Sequence, residues 1–328
     1  MNHPPHAPGR PGGPALVAGV GFALAAGLMW GLVFVAPVML QPYPAAMLSV
    51  ARYLAFGLIA LPLALTDRAG IARLRRADWR EALRLSLVGN LLYYGLLAAA
   101  IQVAGAPLPT MIIGTLPLVI AVVSNLSDRA LPWRRLLSSL IVIAAGIALV
   151  NRDELTLLAE TGRDATQLLT GAALAFGALV CWTWYPIRNA RWLQRHPGLR
   201  SSTWATAQGL ATLPLAIVAG IPLAAIGLPE TFDGVLGPTP GLFVGLMLLI
   251  GLSASWLGTL CWNRASQLLP TSLAGQLIVF ETLSALLYAF LWRGAMPPPG
   301  TLVGIALLVA GVTLGIRAFS RTQGPAGT

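Results

Sequence analysis

Two charged residues stand out because they interrupt long apolar runs: Glu281 and Arg52. Glu281 lies about ten residues from either end of its run, so a helix there would hold the carboxylate ~15 Å from each end. An ionised carboxylate facing lipid at that depth costs several kcal/mol. It therefore faces a protein interior or a water-filled cavity, or stays protonated. Three roles fit: counter-ion for a substrate amine, proton-coupling carboxylate, or structural acid locked by an Arg. On a helical wheel Glu281 shares a stripe with Leu277, Ser284 and Tyr288. Arg52 sits nearer the end of its run, close enough to snorkel. It could bind a substrate carboxylate, or donate to helix-end carbonyls.

Aromatic side chains supply the other signal. Asn90, Tyr93 and Tyr94 form one stripe, Trp182 and Tyr185 share a face, and Trp256 shares one with Thr259 and Asn263. Trp and Tyr often mark the membrane interface, which accounts for Trp192, Trp262 and Trp292. Trp30, Tyr93, Tyr94 and Trp256 fall too deep for that belt. They are either core packing or the wall of an amphipathic pocket, where a substrate with an apolar body and a charged head would gain cation–π contact. Gln276 and Thr110 belong to two similar Pro-Thr-x-x-x-Gly segments. They supply polar contacts to such a pocket, or satisfy backbone loosened by the prolines.

Bond-making chemistry finds no support. His3, His6 and His196 lie in a tail or a loop, and the two cysteines, Cys181 and Cys261, sit beside apolar runs, so no catalytic residue and no metal site is expected. The chain has no Lys, hence no phosphate-binding loop of the Gly-x-x-x-x-Gly-Lys type, and no cofactor is expected. A lipid-modifying membrane enzyme would need acids or His grouped at one interface; Asp153, Glu154, Glu160, Asp164, Glu230 and Asp233 show no metal-ligand spacing.

The elements that must position these residues follow from composition. The 328 residues are 56% hydrophobic and only 10% charged, with a mean hydropathy of +0.76. Soluble domains carry about 25% charged residues. A soluble enzyme and a disordered chain are both excluded, and an all-α integral membrane protein remains. Apolar windows at 15–40, 45–66, 82–102, 107–126, 134–150, 169–187, 202–222, 240–260, 271–292 and 300–317 predict ten transmembrane helices. All 21 basic residues are Arg. With Arg52 inside a span and Arg152, Arg163 and Arg293 on one side, the other 17 fall on the opposite side, the cytoplasmic one by the positive-inside rule. The net charge of +10 therefore reads as topology, not as nucleic-acid binding. Both termini are expected in the cytoplasm, with tails at 1–14 and 319–328, and the protein in a bacterial inner membrane among lipid.

A polar connection at 151–168 divides the chain into five-helix sets, 15–150 and 169–318. The sets echo each other in order: 21–27 with 172–177, then Trp30 with Trp182; Leu61–Leu65 with 213–217; Pro109-Thr110 and Gly114 with Pro270-Thr271 and Gly275; 145–149 with 310–314. An odd number of spans per half turns the second upside down. Inverted repeats around a central cavity are the pattern of secondary transporters. This arrangement, with Ala-Arg-Tyr-Leu-Ala at 51–55, Leu116-Pro117 and an Ala-Gly-x-x-Leu close to each half, resembles the EamA-type drug/metabolite transporter superfamily. Cys181-Trp182-Thr183-Trp184-Tyr185 and the run Gly275 to Glu281 are similar to YddG-like exporters of amino acids. The resemblance implies two EamA repeats rocking about a central site and export of aromatic or neutral amino acids, or of similar small amphipathic metabolites. It also implies substrate contacts from Trp30, Asn90, Tyr93, Tyr94, Trp182, Tyr185, Trp256, Gln276 and Glu281, with Glu281 and Arg52 as coupling or counter-ion groups. Coupling to protons stays open, as does a multidrug or nucleotide-sugar cargo.

Overall fold

The computed structural model describes residues 13–34, 39–40, 43–105, 107–128, 132–152, 162–226, 232, 234, 236–294 and 296–321. Residues 1–12 and 322–328 of the tails and half of the 151–168 connection, 153–161, lie outside them. Ten membrane helices follow in order, and no strand occurs among the described residues. They are α1 (Gly13–Gly31), α2 (Ala45–Thr66), α3 (Arg76–Ala104), α4 (Pro107–Gly114 and Leu116–Asp128) and α5 (Trp133–Val150). The second set is α6 (Ala165–Arg195), α7 (Ser201–Ile226), α8 (Pro240–Leu268), α9 (Thr271–Leu277 and Val279–Arg293) and α10 (Pro299–Arg321). Small residues such as Ala26, Ala60, Ala100, Ala175 and Ala178 are buried between helices, and Val17, Leu65, Leu169, Val218 and Leu291 point outward. Lipid is as apolar as Leu, so close backbone approach rather than greasy burial holds such bundles together.

Several boundaries differ from the hydropathy windows. Helix α1 ends at Gly31 and gives way to a 3₁₀ turn at Leu32–Phe34. Helix α3 starts six residues before its window, α8 runs on to Leu268, and α6, with 31 residues, is about 46 Å long, well beyond a 30 Å hydrocarbon core. The extra turns lie at the arginine-rich end. They are polar, so hydropathy trims them, and they are helical because their polar groups bond between helices. The start of α6 is fixed by a capping box, with the Asp164 carboxylate accepting from the Gln167 N–H at 2.8 Å.

The packing displays the repeat. Helix α2 packs on α7, α4 on α9 and α5 on α10; α3 packs on α6 and α1 on α8; α4 packs on α6 and α1 on α9. Exchanging every helix for the one five places away returns the same set. Residue detail agrees: a Cβ on Gly146 would lie 2.9 Å from Leu308, and one on Gly311 would lie 2.6 Å from Ile143. Those two contacts interchange under the match of 145–149 with 310–314. The packing also cuts across the sequence halves, gathering α3, α4 and α6 into one triplet and α8, α9 and α1 into its twin.

Two irregularities repeat as well. In α3 the stretch Leu87–Leu92 is π-helical, and in α8 the stretch Gly251–Leu257 is, each eleven residues into its helix. Helices α4 and α9 are both interrupted, at Thr115 and Ile278. Wide turns and broken helices at membrane depth are where backbone is freed for other partners.

Candidate functional site

The π-helical stretch in α8 releases a carbonyl. Gly258 N–H bonds to Ser253 and Ser255 and skips Ala254, whose oxygen would be its α-helical acceptor. That oxygen instead accepts from Trp30 Nε1 at 3.0 Å. A side chain at Gly258 would block the approach, since a Cβ there would lie 2.8 Å from Trp30 Nε1. Trp30 is thereby fixed against α8 and meets Trp182 of α6 edge-on, with centroids 5.9 Å apart. Trp182 is sandwiched between Tyr93, just past the π-helical stretch of α3, at 4.8 Å and Tyr185 at 5.1 Å. The Tyr185 ring lies over Gly89, where a Cβ would clash with it. This run of rings spans from one triplet to the other. Trp182 and Tyr93 keep some accessible surface.

The remaining sequence-predicted residues separate into other groups. Tyr94 and Trp256 pack against Tyr53, Phe56 and Ala216, with Trp256 Nε1 donating to Thr206 Oγ1 at 3.0 Å. Asn90 Nδ2 donates to Thr212 Oγ1 at 3.1 Å. The wide turn of α3 ends the single stripe expected of Asn90, Tyr93 and Tyr94, and only Tyr93 reaches the Trp182 stack. Arg52 Nε donates to Ser255 Oγ at 3.1 Å, and its guanidinium lies over the Tyr53 ring, 5.2 Å from the centroid. Glu281 begins the second part of α9, in its first turn, where the helix dipole favours a carboxylate. Its Oε2 is buried and has no hydrogen-bond partner. Both approach Trp30: Ser255, which holds Arg52, follows the Ala254 that accepts from Trp30, and the Glu281 backbone nitrogen would lie 3.1 Å from a Cβ on Gly27, one turn before Trp30.

Gln276 does not join them. It is fully buried, and its Oε1 accepts from Ser139 Oγ at 3.0 Å beside Gly311, so it ties α9 to α5 and α10. The break at Ile278 resets the helix face between Gln276 and Glu281. Thr110 is exposed. Trp262, expected in the interfacial belt, is instead 2% exposed and packs 5.3 Å from Trp30.

Sequence reasoning missed a buried polar hub at the arginine-rich end. Asn189 of α6 donates through Nδ2 to Asn263 of α8 at 2.8 Å, and its Oδ1 accepts from Trp204 Nε1 at 2.8 Å and Gln208 Nε2 at 3.4 Å. Gln208 Oε1 in turn accepts from Tyr185 of the aromatic stack at 2.9 Å. Asn189 and Asn263 have no exposed surface. Around this hub, Arg188 bonds the buried Glu81 at 2.5 and 2.9 Å, and Asp67 takes Arg200 and Thr203. The available signal was the placement of Asn189, Asn263 and the two acids Asp67 and Glu81 just beyond the apolar windows. An open depression of about 410 Å³ at this same end, between Phe22, Arg264 and Gln267, takes in none of the predicted residues.

The twofold fails in one informative way. Leu116–Asp128 packs on Thr271–Leu277, but the equivalent pair, Val279–Arg293 and Pro107–Gly114, makes no comparable contact. Near Gly275 stands Ile120; near its counterpart Gly114 the closest atoms all belong to Asn151. Likewise α6 packs on the last part of α8, while α1 and α3 make no comparable contact. The triplets are shut at the arginine-rich end and parted at the other.

Two inverted, interlocked five-helix repeats with broken helices at matching depth make a transporter architecture. The EamA-like transporter family matches residues 17–152 and again 169–317. This chain belongs to that family. It is a multi-pass membrane transporter. Inner membrane protein YtfF of Escherichia coli (strain K12) is 50% identical over 310 residues, covering 92% of this chain and 96% of that protein. A "probable terminal-alkyne amino-acid exporter" of Streptantibioticus cattleyicolor is 26% identical over 320 residues, covering 90% and 97%. A crystal structure with 17% identity superposes with a TM-score of 0.72 over 94% of this chain and 99% of its own, a likeness of fold.

Proposed function

We propose that this EamA transporter sits in the inner membrane with its arginine-rich end in the cytoplasm and exports amino acids or similar small amphipathic metabolites. The observation that carries the reading is the ring stack Trp30–Trp182–Tyr93, which bridges the two triplets and has Arg52 and Glu281 near its Trp30 end. Aromatic faces take the apolar body of a substrate and the two charges take its ionic head. The amino-acid exporter among its relatives supports the same cargo class.

Transport then follows from the broken symmetry. With the arginine-rich end inside, the arrangement is packed shut at its cytoplasmic end and less tightly packed at its outer end. Rocking the α3–α4–α6 triplet against α8–α9–α1 exchanges which pair of α4 and α9 segments is packed, and so exposes the site to the cytoplasm. The moving bodies are these triplets, not the five-helix halves that the sequence alone suggested.

Protein reconstituted in liposomes and offered a panel of labelled amino acids, with and without a pH gradient, tests the proposal. Uptake of aromatic or neutral amino acids is expected. A reconstituted protein that moves none of them but carries cationic dyes or nucleotide sugars would overturn it. A reporter fused after Arg152 should be active on the outer face; activity in the cytoplasm would reverse the orientation.

A further inference from the structure

Arg52 and Glu281 are unlike charges on different repeats, gathered around Trp30: Arg52 bonds Ser255, the residue after Trp30's acceptor Ala254, and the Glu281 backbone nitrogen would lie 3.1 Å from a Cβ on Gly27, one turn before Trp30. Among the described residues they form no ion pair with one another. Each is held short of its partner. Arg52 spends its Nε on Ser255 of α8 and lies on the Tyr53 ring, which fixes the guanidinium plane and leaves the terminal nitrogens without a bond among the described residues. Glu281 keeps a buried oxygen with no donor. An unpaired acceptor of this kind is expensive in a membrane interior.

The scaffold does not require these charges. By the repeat alignment, the counterpart of Arg52 is Trp204 and that of Glu281 is Ile120, and both counterparts are fully buried and apolar in body. At these two positions the repeats differ in charge, with opposite signs.

We infer that Arg52 and Glu281 form a two-point clamp for a zwitterion, Arg52 taking the α-carboxylate and Glu281 the α-ammonium while the side chain lies against Trp182 and Tyr93. This deepens the exporter reading and rests on it. A free carboxylate can accept a forked pair of bonds from the terminal guanidinium nitrogens. An ammonium supplies the donor that Glu281 Oε2 lacks. A molecule carrying one charge leaves the other member of the pair unanswered, and sites built for a polar group reject analogues without it strongly.

The probe is labelled L-phenylalanine taken up by liposomes containing the full chain, in competition with L-phenylalanine, phenethylamine, which lacks the carboxylate, and 3-phenylpropionate, which lacks the ammonium. In the wild-type protein both single-charge analogues should compete at least about tenfold more weakly than phenylalanine. Arg52→Gln should erase the discrimination against phenethylamine alone, and Glu281→Gln that against 3-phenylpropionate alone. Wild-type competition that is equal for all three overturns the clamp and needs no variant. Variants that elute as intact protein but weaken all three in the same proportion overturn it too. If the wild type takes up no amino acid, the exporter reading falls and the clamp with it; uptake without discrimination removes the clamp alone.

Discussion

Replacing Asn263 with Leu should unlatch the arginine-rich end, the cytoplasmic one in the proposed orientation. In the observed arrangement Asn263 Oδ1 accepts from Asn189 Nδ2 at 2.8 Å, with both side chains fully buried. Leu leaves that amide hydrogen without an acceptor in a dry interface, at about 1–3 kcal/mol. Once α6 and α8 part, water reaches Asn189 and the penalty vanishes. The substitution therefore costs the closed arrangement far more than the open one, and the population shifts by about 5- to 150-fold towards the cytoplasm-open state. Thr259, between the ring stack and the hub, is the reporter: a Thr259→Cys chain, with Cys181 and Cys261 replaced by Ala, is titrated with a membrane-impermeant maleimide from each side. The rate from the cytoplasmic side should rise by that factor in the Asn263→Leu background and the rate from outside should fall. Unchanged rates in a protein that still transports would refute the latch, and equal rises from both sides would mean general loosening.

The twofold predicts that Gly146→Val and Gly311→Val carry similar penalties, about 1–3 kcal/mol of overpacking each, because each glycine meets the other's neighbour; thermal melts in detergent that differ widely would contradict the equivalence. Arg188→Ala leaves the Glu81 carboxylate, which is 2% exposed, with only the longer 3.8 Å contact to the exposed Arg84, and should lower the melting temperature, while adding Glu81→Gln should restore most of it; no rescue would show that Arg188 acts through packing. Trp182→Ala removes the ring between Tyr93 and Tyr185 and should weaken L-tryptophan by about tenfold while L-alanine changes little; equal losses would point to damaged packing.

Much of this was legible in the residues. The ten helices and the repeat follow from apolar run length and self-similarity, which are properties of the chain itself. Facing within helices was less legible. Asn90 and Tyr94 lie on the Tyr93 stripe only if α3 turns uniformly, and its π-helical stretch has no composition that announces it. Gln276 and Glu281 are separated by a break whose effect on direction is set by what α5, α9 and α10 pack against. The Asn189–Asn263 hub escaped because short polar amides beyond an apolar window look like solvated helix ends, whereas here they are buried by the overrun of α6 and α8. Trp262 went to the interfacial belt for the same reason.

The cytoplasmic closure brings together two neutral carboxamides across the triplets. Parting them moves no net charge through the electric field of the bilayer, which would otherwise add about 2.3 kcal/mol per elementary charge for every 100 mV. With a cargo whose own charges cancel, resting potential gives this gate no direction of its own.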